Sequence, residues 1–85
     1  MASCSLLIKP SAVRELEELP AKGRHRIIAR IQRLAGQPRP PNGEKLPGEE
    51  KYRLRQGDYR ILYAVDDAAK DVTVVKIGHR REVYR

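Results

Sequence analysis

Arginine is the residue type whose placement suggests chemistry. Arg53 and Arg55 stand two apart in Lys51-Tyr52-Arg53-Leu54-Arg55-Gln56, and Arg60 follows a Gly57-Asp58 turn signal. Arg80 and Arg81 come directly after His79, and Tyr84 lies close behind. Residues two apart on a strand share a face. If three neighbouring strands carry these groups, Arg53, Arg55, Arg60, Arg80 and Arg81 converge on one surface. Clustered guanidiniums repel one another unless an anion lies between them, and their planar fork of donors suits phosphate. His79 adds the residue type that titrates near neutrality. Tyr84 adds a ring able to stack on a base and a hydroxyl able to exchange a proton. Arg, His and Tyr without a metal-ligand set suit RNA cleavage, because RNA carries its own nucleophile, the 2′-OH. The protein then has to orient that hydroxyl, take its proton, stabilise the pentacovalent phosphate and protonate the 5′ oxygen. Each feature also has a plainer use. Alternating arginines keep a strand face soluble, a histidine near a chain end is often a spectator, and Tyr84 could simply pack.

The elements that would position these groups follow from patterning. Ser5-Leu6-Leu7-Ile8 reads as a short strand stopped by Pro10. Ser11 is a suitable N-cap for a first helix with Ala12, Val13, Leu16 and Leu19 at helical spacing, ended by Pro20. A second helix is expected from about Lys22 to Ala35, with Ile27, Ile28, Ile31, Leu34 and Ala35 as its apolar stripe. Gly36 and Pro38 stop it. The short connection predicts an antiparallel helical hairpin. Gln37 to Gly43 reads as a stiff loop. Strands are then expected over Lys51–Gln56, Tyr59–Val65 and the β-branched run Val72–Ile77, after which Gly78 releases a basic tail. The predicted order is β-α-α-β-β-β. This is an α+β fold with a small antiparallel sheet packed against an N-terminal helical hairpin. Tyr52, Tyr59 and Tyr63 fall on its apolar faces, and His25 on the solvated side of the second helix.

Composition narrows the partners. The chain has 85 residues, enough for one domain spanning 1–85. Its 18 Lys and Arg against 11 Asp and Glu leave a formal charge of +7, which suits a polyanion. Phe and Trp are absent, so aliphatic residues and four Tyr must build the core. One cysteine, Cys4, excludes an internal disulfide framework and a cysteine zinc cage. The two histidines, His25 and His79, have no metal-ligand spacing, and no metal or cofactor is expected. No apolar run approaches a membrane span, and the N-terminus lacks a secretory pattern. The expectation is a cytoplasmic chain that binds no membrane.

Three segments taken together resemble a known superfamily. They are Lys45-Leu46-Pro47-Gly48, Tyr52-Arg53-Leu54-Arg55-Gln56-Gly57-Asp58-Tyr59-Arg60-Ile61-Leu62-Tyr63, and Ile77-Gly78-His79-Arg80-Arg81-Glu82-Val83-Tyr84. The pair of longer motifs is similar to the RelE/ParE toxins of bacterial and archaeal type II toxin–antitoxin modules, whose fold matches the predicted one. The resemblance implies a toxin. RelE-like members cleave mRNA in the ribosomal A site without metal; ParE-like members poison DNA gyrase. The basic residues after the last strand and the late tyrosine favour the RelE branch, a ribosome-dependent endoribonuclease that inhibits translation. On that reading Arg60 stabilises the transition-state phosphate, Arg80 serves the leaving side, and Tyr84 orients the nucleotide. Lys51, Arg53, Arg55 and Arg81 bind RNA phosphate.

Arg53 and Arg55 match positions where well-known RelE members carry Lys. Arginine stays protonated and cannot serve as a base. The base then falls to His79, Tyr84 or water, with His79 favoured. The expected partners are a cognate antitoxin, forming a hetero-oligomer with this chain, together with the ribosome and its mRNA. A ParE-like gyrase inhibitor and an inactive basic RNA-binding relative are the competing readings.

Overall fold

Strand β1 (Ser5–Ile8) is followed by α1 (Pro10–Glu17) and α2 (Ala21–Leu34), and then by β2 (Gly43–Lys45), β3 (Lys51–Gln56), β4 (Tyr59–Asp66) and β5 (Asp71–His79). These elements come from a computed structural model that describes residues 4–41, 43–47 and 51–79. The five strands form one sheet in the order β1-β5-β4-β3-β2. β2, β3, β4 and β5 pair antiparallel, whereas β1 joins the far edge parallel to β5. The architecture is α+β, as expected, with two additions: a short β2 and a parallel edge.

The helices start from their prolines. Pro10 occupies the first turn of α1, with Lys9 at the N-cap position and no side-chain cap. The helix therefore begins before Ser11, because proline is pre-set for the first helical position and its missing N–H costs nothing there. α1 lies along β5, and α2 reaches β3. Ala12, Leu16, Ile27, Ile31 and Leu34 meet Tyr52, Leu54, Ile61, Tyr63, Val65, Val72, Val74 and Ile77 in the core. Val13, expected on the apolar stripe, is exposed.

Register decides which side chains enter that core. Gly57 has a φ of +59°, which suits the first central position of a two-residue hairpin turn. The turn pairs Gln56 with Tyr59, and hence Arg55 with Arg60, Leu54 with Ile61 and Tyr52 with Tyr63. Paired residues share a face. Tyr52, Leu54, Ile61 and Tyr63 therefore point at the helices, and Lys51, Arg53, Arg55 and Arg60 at the open face. On β5 the register shifts opposite Leu62 and Tyr63, so Val75 is the extra residue of a bulge. β1 covers β5 only as far as Val74. Beyond it Glu15 of α1 takes over that edge. It accepts a hydrogen bond from the Ile77 N–H at 3.0 Å and pairs with Lys76 Nζ at 2.9 Å.

The proline-rich loop is pinned by tyrosine hydroxyls. Tyr63 donates to the Pro38 carbonyl at 2.9 Å, and Arg39 Nε donates to the Tyr52 hydroxyl at 2.8 Å. Arg39 also grips Asp67 with both terminal nitrogens, and Tyr52 stacks on Tyr63 with centroids 5.5 Å apart. The Asp67 contact holds the Arg39 pKa above its usual value. A β-carbon at Gly43 would lie 3.0 Å from the Tyr63 hydroxyl and 3.3 Å from the Pro40 carbonyl. The closeness of loop and sheet thus favours glycine there, at the start of β2.

Burial pushes the Tyr63 hydroxyl up to about 12. In the unfolded chain it would lose its proton at about pH 10. The folded state therefore keeps a proton that the unfolded state gives up. Its contribution is complete below pH 10 and is lost as pH rises towards 12. Tyr63→Phe should cost about 1–2 kcal/mol at neutral pH, because the Pro38 carbonyl loses its donor. Urea unfolding of both chains at a series of pH values should show the gap narrowing as pH rises above 10.

Candidate functional site

The short β2 strand brings an unexpected carboxylate to the arginines. Glu44 pairs in register with Arg53 and so shares the open face. Its Oε2 forms an ion pair with Arg53 Nη2. That hydrogen bond is the main reason the Glu44 carboxyl sits below its usual pKa, and the charges of Arg55 and Arg60 lower it further. One carboxylate thus reports the field of three converging guanidiniums. Lys51 lies on the same face, two residues from Arg53. The sequence contained a clue to Glu44 only in the Gly43-Glu44-Lys45 stretch, too short and too polar to be read as a strand.

Arg60 differs from its neighbours. Arg55 is exposed and Arg53 half-buried, but Arg60 is only 4% exposed. It was expected on one surface with Arg53 and Arg55, and its pairing with Arg55 puts it there. Its Nη1 folds back onto the turn, donating to the Tyr59 carbonyl at 3.0 Å and the Gly57 carbonyl at 3.3 Å. Its Nε is buried without a hydrogen-bond partner. A buried N–H left unpaired carries an uncompensated desolvation cost, and such groups call for an explanation. Two turn carbonyls thus fix this guanidinium, and its Nε keeps a donor that no described residue satisfies.

His79 departs from the sequence reading in two ways. It belongs to β5 instead of a tail, since the strand continues through Gly78. It also pairs with Tyr59, whereas Gly78 pairs with Arg60. Alternation therefore puts His79 on the helix side, across the sheet from Arg53, Arg55 and Arg60. There its ring meets the Tyr59 ring edge-on at 6.1 Å. It lines a cleft of about 390 Å³ with Glu15, Glu18, Leu19 and Tyr59. His79 is thus not presented to the arginine face. Arg80, Arg81 and Tyr84 lie outside the described residues. Of the predicted set, the fold gathers Lys51, Arg53, Arg55 and Arg60, adds Glu44, and separates His79.

Comparison with known proteins identifies this arrangement. Residues 6–84 match the family model described as ParE toxin of type II toxin-antitoxin system, parDE. Toxin RelE of Mycobacterium tuberculosis is 32% identical over 84 residues, covering 92% of this chain and 82% of that protein. A match to Toxin RelG of the same organism is shorter: it spans 34 residues at 38% identity, covering 40% of this chain and 39% of that protein. Among solved structures, the toxin–antitoxin complex RelBE2 from Mycobacterium tuberculosis superposes with a TM-score of 0.81 at 26% identity, covering 92% of this chain and 99% of that one. The archaeal RelE–RelB complex from Pyrococcus horikoshii gives 0.79 at 26% identity, covering 92% and 96%. With its family matched over nearly the whole chain and its fold shared with RelE proteins, this chain belongs to the RelE/ParE superfamily and is a toxin of a type II toxin–antitoxin system.

Proposed function

We propose that this toxin is a RelE-like mRNA interferase, a ribosome-dependent endoribonuclease that cleaves mRNA in the A site by metal-independent attack of the 2′-OH and so inhibits translation. The observation that carries this reading is the preorganised Arg60 guanidinium, buried with a spare Nε beside Arg55 on a face that also holds Arg53. It suits a phosphate gaining charge in a transition state better than it suits a solvated surface. The similarity to Toxin RelE of Mycobacterium tuberculosis favours the same branch.

Roles follow from position. Arg53, Arg55 and Lys51 bind the flanking phosphates, and Arg60 stabilises the pentacovalent one. Glu44 is the carboxylate at the arginine face and is assigned the 2′-OH proton, since arginine cannot take it. It must first give up part of its contact with Arg53, and incoming phosphate is the natural replacement on that guanidinium. Arg80 at the leaving oxygen, Tyr84 on the nucleotide and Arg81 on phosphate are assigned by resemblance to RelE-like toxins. The expected partner in the resting state is an antitoxin whose acidic residues cover the arginine face, forming a hetero-oligomer. The RelE proteins of Mycobacterium tuberculosis and Pyrococcus horikoshii were solved with their antitoxins. The working compartment is the cytoplasm, where ribosomes are.

Primer extension on ribosomes programmed with an mRNA and a vacant A site tests the reading. A new 3′ end inside the A-site codon, seen only with ribosomes, is the expected result. Arg60→Ala should slow cleavage by about 10²–10³-fold, the scale of losing one preorganised charge donor. Intact mRNA together with stoichiometric inhibition of gyrase supercoiling would replace this reading with the ParE-like one. RNA binding with neither effect would point to an inactive relative.

The base assignment has its own test. Glu44→Gln should lower the cleavage rate by about 10²–10⁴-fold, the range for losing a general base. The same variant should bind a non-cleavable RNA more tightly, because a competing carboxylate has gone. Because the arginines hold the Glu44 carboxyl below its usual pKa, it stays charged until pH falls below the ordinary carboxylate range. The acid limb of the parent's kcat/KM profile should lie correspondingly low. His79→Gln should keep the parent rate from pH 5 to 9; a loss there would return the base to His79.

A further inference from the structure

The second helix carries an uncommitted charge pattern. α2 contains Lys22, Arg24, Arg26, Arg30 and Arg33 and no acidic residue. At 100° per residue, Lys22, Arg26, Arg30 and Arg33 fall on one flank, beside the stripe of Ile27, Ile31 and Leu34 that enters the core. Arg24 lies on the other flank and donates to the Glu17 carbonyl. None of the four flank residues makes an ion pair among the described residues. Arg30 Nε is buried without a hydrogen-bond partner.

The stripe borders two depressions. Arg30 and Arg33 line one of about 120 Å³ with Gln37, Pro40, Pro41 and Leu54. Arg26 lines another of about 240 Å³ against Gly57, Asp58 and Tyr59 at the β3–β4 turn. That turn also carries Arg60, which bonds the Gly57 carbonyl, and Arg55 stands two residues before it. The hairpin tip thus lies between the α2 flank and the arginine face. Asp58 is the one acidic residue lining these two depressions.

We propose that the α2 flank is a second RNA contact, which holds the sugar–phosphate backbone of a segment remote from the cleaved phosphate. This rests on the reading of the toxin as acting on RNA. Charge complementarity commits the surface to a polyanion. The lack of apolar anchors separates RNA from a protein partner. Stable protein interfaces centre on buried apolar or aromatic side chains, whereas backbone contacts to nucleic acid are carried by charge. Among the described residues the exposed large hydrophobics are Leu7 and Val13, on β1 and α1, and α2 offers none. From Lys22 to Arg33 the stripe extends roughly 16 Å along the helix, long enough to span several phosphates.

The test measures binding of a 20-nucleotide, fully 2′-O-methylated RNA, which cannot be cleaved, across a salt series. Arg26→Gln/Arg30→Gln/Arg33→Gln should weaken binding about tenfold or more and lower the slope of log K against log salt by about 2–3. Arg26→Gln/Arg33→Gln, which spares the half-buried Arg30, should show most of the effect with an unchanged urea midpoint. Lys9→Gln/Arg14→Gln/Lys70→Gln removes the same charge elsewhere and should leave the slope near the parent's. Equal slopes in the two triple variants would overturn the proposal. So would an α2 variant that binds RNA like the parent and loses affinity only for the antitoxin. On ribosomes the α2 variants should raise KM and keep kcat. A parent that binds RNA through α2 and leaves ribosomal mRNA intact defeats the cleavage reading alone. A parent that cleaves mRNA but binds RNA independently of α2 defeats this proposal alone.

Discussion

The pairing register of β3 and β4 is the constraint on which the rest depends. The two-residue turn at Gly57 and Asp58 sets Arg55 opposite Arg60 and Leu54 opposite Ile61. A slip of one residue on either strand would send arginines into the core and Leu54 or Ile61 to solvent. The helices reinforce the choice, because Ile27, Ile31 and Leu34 need an aliphatic and aromatic face to pack on. One turn with a left-handed glycine therefore specifies both the core and the charged face. The hydrophobic effect holds the arginines together despite their repulsion, since separating them would expose the residues behind them.

Glu44 shows how the same scaffold relieves that repulsion. It is held by a chain of contacts that begins in the core. Tyr63 anchors the Pro38 carbonyl, Tyr52 receives Arg39, and Gly43 fits against the Tyr63 hydroxyl. The loop then delivers β2 to the free edge of β3. A three-residue strand would not persist alone, and its stability comes from this anchoring. A carboxylate on a pinned edge strand offsets part of the arginine charge through its pair with Arg53. Glu15 serves the opposite end of the sheet in a similar way, covering the edge of β5 where β1 stops.

The two basic surfaces differ in how they are supported. The arginine face is preorganised, with Arg60 fixed by turn carbonyls and Arg53 by Glu44. The α2 flank is a row of long side chains on a helix, without ion-pair partners among the described residues. The first arrangement suits a charge that develops in a transition state; the second suits adaptable, salt-sensitive backbone contact. The hairpin tip lies between them.

Much of this was legible in the residues themselves. Strong alternation in β3 and β4 and the β-branched run of β5 set their types and faces, because period-two patterning is local. The stripe of Ile27, Ile31 and Leu34 set α2 in the same way. The motif of residues 52–63 and the motif of residues 77–84 together named the superfamily. Three features required the tertiary structure. Glu44 meets Arg53 only because a loop held by tyrosines delivers β2 to the edge of β3, nine residues on in the chain, and no local pattern encodes that contact. Arg60 is buried and bonded to the turn carbonyls while Arg55, opposite it on the same face, is exposed, and strand alternation does not distinguish the two. His79 lies across the sheet from Arg53, Arg55 and Arg60, because β5 runs on through Gly78 and successive strand residues face opposite ways. Sequence determines which groups a strand carries; only the pairing of strands decides which of those groups can act together.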